Sequence, residues 1–96
     1  MPAAEETRLL GQLPGWQVEV GDGHRQLVRE FRLPNFVAAV DFVNRITPIA
    51  EAESHHPDLL VGWGRVRVQL WTHDAGGLTM NDFVLAAKID QVAAAG

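Results

Sequence analysis

The chain has 96 residues, 47% of them hydrophobic and 21% charged, with no cysteine and a formal net charge of −4. This length suits a single domain over residues 1–96, with a core small enough that oligomerisation is expected. The acidic balance argues against a general nucleic-acid binder, and the missing cysteine excludes disulfides, thiolate nucleophiles and cysteine-ligated zinc or iron–sulfur sites.

Met1 to Glu6 has no basic region followed by an apolar core, and no apolar run approaches the ~20 residues of a membrane span. A soluble cytoplasmic protein is therefore expected. Glu5 to Leu10 reads as a short helix, ended by Gly11 and Pro14. Trp16, Val18 and Val20 alternate with polar residues in the period-two pattern of a half-buried strand. Gly21-Asp22-Gly23 supplies a turn, placing His24 in solvent. A second strand follows, with Leu27, Arg29, Phe31 and Leu33 on one face and Val28, Glu30 and Arg32 on the other, completing a hairpin.

Asn35 is a plausible cap for a long helix whose apolar arc comprises Phe36, Ala39, Val40, Phe42, Val43, Ile46 and Ile49. Pro48 cannot donate to the carbonyl of Asn44, so a kink or a loosened last turn is expected, and Pro57 sets the limit of the helix. Leu59 to Trp63 and Arg65 to His73 read as two more strands around a turn at Gly62-Trp63-Gly64. Gly76-Gly77 breaks the last of these, and its simplest reading is a turn needing positive φ. Thr79 and Asp82 resemble a capping box at the head of a helix over Met80 to Val92. Phe83, Val84, Leu85, Ala86, Ala87, Ile89 and Val92 point in nearly every direction around that helix, so a subunit interface is expected on it. The order α-β-β-α-β-β-α implies an α+β fold, a four-stranded antiparallel sheet with helices packed on one face.

Three of the four histidines fall near element ends: His55 and His56 after the long helix, His73 at the end of the fourth strand. If the last two strands pair through a tight turn, His73 arrives beside His56 and Pro57. Imidazoles titrate near neutrality, so such a cluster suits general acid–base chemistry. Glu51 stands one helical turn before His55 and is placed to orient it, while Thr72 and Asp74 flank His73 with hydrogen-bonding groups. Trp71 shares a strand face with His73. The competing readings are a helix-end histidine with no function and a zinc site. Adjacent His55 and His56 do not match the H-E-x-x-H spacing that puts two ligands on one helix face.

The run Glu51-Ala52-Glu53-Ser54-His55-His56-Pro57-Asp58, then Trp63, Val66, Val68, Leu70, Thr72-His73, Gly77-Leu78-Thr79 and Asp82, resembles the signature of the pterin-4a-carbinolamine dehydratases. The likeness continues through Phe83 to Asp90 and upstream to Trp16 and the first hairpin. It implies catalytic roles for His55, His56 and His73, with His55 and His73 transferring protons and His56 mainly binding. It implies pterin contacts from His55, His56 and Pro57 and from Thr72, His73, Asp74 and Ala75. It also implies a homodimer or homotetramer, no metal or organic cofactor, and an aromatic amino-acid hydroxylase as the source of substrate. Ser54 departs from the Asn or Asp common before the histidine pair. The rival implied by the same likeness is a binding or assembly protein, of the kind that helps a transcription factor dimerise or Rubisco assemble. A pure scaffold has no need of three histidines.

Overall fold

The computed structural model describes all residues from Met1 to Gly96. Three helices, α1 (Ala3–Leu10), α2 (Phe36–Glu53) and α3 (Met80–Ala95), accompany four strands, β1 (Gln17–Gly21), β2 (His24–Arg32), β3 (Asp58–Gly62) and β4 (Arg65–Leu70). The strands form one antiparallel sheet in the order β1-β2-β4-β3. The expected α+β architecture is thus the observed one. No helix is long and apolar enough to cross a membrane.

The first hairpin closes through Asp22 and Gly23, both at positive φ (53° and 81°), the geometry that matches the twist of the flanking strands. In the second, Gly64 at φ 71° is fixed by close approach: a Cβ there would lie 2.9 Å from the carbonyl oxygen of Leu33. In-register pairing aligns Leu27 with Leu70, Phe31 with Val66, Leu59 with Val68 and Val61 with Val66, so one sheet face is apolar. Buried Ala39, Phe42, Ile46 and Ala50 of α2 join buried Leu27, Phe31, Val66, Val68 and Leu70 in the core. Asn35 caps α2 by accepting from the Ala38 amide at 2.9 Å. The helix continues past Pro48 to Glu53. Phe36 and Val40, read as part of its core arc, are instead exposed at 49% and 37%, because they turn with Val37, Asp41 and Asn44 away from the face that buries Ala39, Phe42 and Ile46. Val20 is exposed at the free end of the first hairpin.

The nearly all-round apolar character of α3 is largely, not wholly, satisfied within the chain. Phe83, Leu85, Ala86 and Ile89 are buried, and only Met80 and Val84 stay open among its large apolar residues. One side of α3 meets α2 and the sheet, while Phe83, Val84 and Ala87 share a hollow with Leu9 and Leu13 from the N-terminal segment. Trp16 ties that segment down, its Nε1 donating to both carboxylate oxygens of Asp90 at 2.9 and 3.0 Å. The N-terminal segment thus takes part of the apolar surface of α3, while Met80 and Val84 stay exposed beside the hollow it shares with Leu9 and Leu13.

Candidate active site

The end of α2 delivers two histidines by a sharp reversal. Ser54 takes the left-handed conformation (φ 50°, ψ 38°), and the His55 amide donates back to the carbonyl of Ala50 at 3.1 Å. That is the hydrogen-bonded stop usually built on glycine. His55 and His56 then lead into β3, whose Asp58 pairs with Gln69 near the end of β4. The third histidine arrives from β4, though not as a strand residue. The strand stops at Leu70, and His73 opens a 3₁₀ turn over His73–Ala75. Thr72 and Gly77 pair across the base of this loop through reciprocal backbone hydrogen bonds of 2.8 and 3.4 Å, withdrawing the chain from β2. Gly76, at φ 65°, makes the turn possible, as the glycine pair suggested.

These two segments face each other across a cleft of about 250 Å³ lined by Ser54, His55, His56, Trp71, Thr72, His73 and Asp74. The three histidines singled out from the sequence share one cavity. The other expected contact residues are divided. Glu51 and Pro57 line a separate hollow on the far side of His56, with Ile46 and Leu59, and Ala75 lies with Gly23 and His24 on the opposite side of the loop. No group of three His, Asp or Glu side chains is clustered tightly enough to hold a metal ion.

The orienting carboxylate of His55 is Asp82, not Glu51. His55 Nε2 donates to Asp82 Oδ1 at 2.6 Å, while Glu51 pairs with His56 Nε2 at 2.5 Å, and both members of that second pair are exposed. Helix α2 has already ended at Glu53, so the one-turn spacing that would have joined Glu51 to His55 is lost. Asp82 is completely buried, and its second oxygen accepts from Thr72 Oγ1 and from the Thr79 amide, each at 2.9 Å. Thr72 and Thr79 hydroxyls meet at 2.8 Å. A buried carboxylate is tolerable only when so supplied with donors. One side chain therefore caps α3, anchors the loop that carries His73 and fixes the His55 ring. In the sequence Asp82 shows only as a capping residue; its remaining signal was its place in the family signature.

His24 is the second correction. It begins β2 rather than sitting free in the turn, is half-buried, and stacks on Trp71 with ring centroids 3.5 Å apart at 21°. Trp71 in turn lies 3.9 Å from the His73 ring at 31°. Near this hollow, Glu6 hydrogen-bonds Arg25 and with its charge raises the guanidinium above its ordinary value.

Residues 1–92 match the family model of pterin 4 alpha carbinolamine dehydratase. The chain belongs to the pterin-4a-carbinolamine dehydratase family. It is 52% identical over 88 residues to a protein from Rubrobacter xylanophilus, covering 92% of this chain and 79% of that one. It is 47% identical over 89 residues to another from Marinobacter nauticus, covering 93% and 80%. Both are provisionally named pterin-4-alpha-carbinolamine dehydratases. The crystal structure of a transcriptional coactivator/pterin dehydratase from Brucella melitensis superposes with a TM-score of 0.86 at 32% identity, covering 96% of each chain. A pterin dehydratase-like protein identified as a RuBisCO assembly factor in the alpha-carboxysome shares the fold, with a TM-score of 0.68 at 18% identity over 82% of this chain and 89% of that one. The family signature, read from Glu51 to Asp82, encloses both walls of the cleft.

Proposed function

We propose that the protein is a hydro-lyase that removes water from a 4a-hydroxytetrahydropterin to give the quinonoid dihydropterin. The observation that carries this reading is the convergence of His55, His56 and His73 on one cleft, with His55 held by buried Asp82. Hydroxide leaves carbon poorly, so the 4a oxygen must gain a proton as the C4a–O bond breaks. The N5 lone pair supplies the electrons that become the C4a=N5 double bond, and the N5 proton passes to a base. Water is the only other product, so atoms and electrons balance without a metal or an organic cofactor.

His55 and His73 are assigned the two proton transfers, each worth ~10²–10⁴ in rate. With Nε2 of His55 committed to Asp82, Nδ1 is the atom left to exchange a proton with substrate. His56, exposed and paired with Glu51, is assigned to binding. Thr72 acts through Asp82, and Asp74 borders the cleft beside His73. The same reading carries a homodimer or homotetramer in the cytoplasm, supplied with carbinolamine by an aromatic amino-acid hydroxylase.

Stopped-flow dehydration of a freshly generated 4a-carbinolamine tests it. The parent should exceed the buffer rate, His73→Ala should lose at least about tenfold, and His55→Ala with His73→Ala should lose more than either alone. A parent rate equal to buffer would overturn the reading. A binding or assembly role, of the kind the Brucella coactivator's name carries, would then lead.

A further inference from the structure

His73 differs from its two neighbours in what holds it. His55 and His56 each donate to a carboxylate, whereas the contact made by the His73 ring is with the indole of Trp71. The residue is exposed and sits in a three-residue turn. An imidazole so placed samples several rotamers unless something restrains it, yet proton transfer needs a nitrogen within ~2.6–3.2 Å of its target.

Trp71 supplies one wall, and Trp71 is itself restrained. Two imidazoles this close to one indole, and this nearly parallel to it, would collide on the same face, so His24 and His73 cover opposite faces. The arrangement follows from register. Leu27 pairs with Leu70, so Trp71 stands just beyond the paired stretch on the outer sheet face, the face that period-two alternation also gives to His24. The two-residue turn at Asp22 and Gly23 fixes how far β2 reaches along it.

We infer that Trp71 and His24 are positioning residues for His73, the indole holding the imidazole against the cleft and His24 holding the indole. The effect on turnover rests on the dehydratase reading; the stack itself does not. Around the stack, Glu6 and Arg25 beside His24 are bonded to each other, and His55, His56 and Asp74 line the cleft with His73.

Four variants of the whole chain test this: His24→Ala, His24→Phe, Trp71→Ala and His73→Phe. Each is followed by the NMR chemical shifts of the imidazole ring protons at one fixed pH and by steady-state dehydration. His24→Ala should lower kcat roughly two- to tenfold with KM little changed, and Trp71→Ala should lower it at least as much. His24→Phe, which keeps an aromatic ring on the indole, should restore kcat. His73→Phe, which leaves Trp71 in place, should keep the His24 ring protons shifted upfield by the indole, and Trp71→Ala should remove that shift from both imidazoles. Parent-like kcat in His24→Ala together with unmoved His73 ring-proton shifts would overturn the inference. Equal losses of kcat in His24→Ala and His24→Phe would overturn it too, because the wall survives in the second. If the parent shows no turnover at all, the dehydratase reading fails, and the ring-proton shifts still decide whether the stack exists in solution.

Discussion

His55 Nε2 lies 2.6 Å from Asp82 Oδ1, so the residue that leaves α2 is tethered to the first turn of α3. The carboxylate is fully buried and takes two further donors, from Thr72 and Thr79, which makes it a shared hub rather than a private partner. Asp82→Asn keeps the shape but replaces one acceptor oxygen by an NH₂ that cannot accept from His55. On the dehydratase reading the expected outcome is a loss of kcat of ~10–100-fold, the size seen when the carboxylate partner of a functional imidazole is removed. Thermal or denaturant unfolding should register a cost of about 1–3 kcal/mol from the mismatched buried hydrogen bonds. A variant that unfolds earlier yet turns over like the parent would reduce Asp82 to a helix cap.

His56 invites the opposite expectation. Its side chain and that of Glu51 are 64% and 68% exposed, so their ion pair contributes at most about 1 kcal/mol to folding. His56→Gln and Glu51→Gln should unfold close to the parent temperature. In steady-state dehydration they should raise KM several-fold and leave kcat within about threefold, the pattern of a group that binds ground and transition states alike. A collapse of kcat in His56→Gln with KM unchanged would make His56 one of the proton-transferring pair.

Local patterns carried most of this fold. Period-two alternation marked the strands, Asn35 marked the start of α2, and the two hairpins brought His73 to His55 and His56 as their spacing implied. What escaped depended on distant parts of the chain. Alternation continues past Leu70, so it placed His73 in a strand, whereas Thr72 pairs with Gly77 instead. The breadth of the apolar surface on α3 says that two partners exist but not that one is the segment holding Leu9, Leu13 and Trp16. A histidine after an Asp-Gly turn looks solvated until the register of two hairpins sets it on Trp71. Asp82 reads as a cap because burial of a single carboxylate is settled by the donors around it, not by its neighbours in sequence.

Ser54 gives a stability test at the edge of the cleft. It is one of two non-glycine residues at positive φ, and the reversal it makes aims His55 inward. Left-handed backbone costs an ordinary L-residue about 1 kcal/mol, less for Asn or Asp, whose side chains bond locally, and least for Gly. Ser54→Gly should therefore stabilise the fold by about 0.5–1 kcal/mol in denaturant titration, with Ser54→Asn between it and the parent. Both should keep kcat, because the turn geometry is retained. A Ser54→Gly variant less stable than the parent would mean that the Ser54 hydroxyl supports the turn.

Self-association, expected for so small a core, has a second candidate surface besides α3. Leu85 and Ile89 are completely buried within the chain, whereas Phe36, Val37 and Val40 stand 49%, 78% and 37% exposed on the first turns of α2. They share a surface hollow with Asp41 and Asn44. Contiguous apolar groups on a helix face favour packing against another copy. Light scattering at micromolar concentration should thus give a dimer or larger species for the parent and a monomer for Val37→Glu. Val84→Glu, on α3, should stay associated. Val37 lies some ~25 Å along the helix from the end that delivers His55, at about 1.5 Å per residue, so the monomer should keep its dehydration rate. Dissociation by Val84→Glu but not by Val37→Glu would return the interface to α3, and a monomeric parent would remove it altogether.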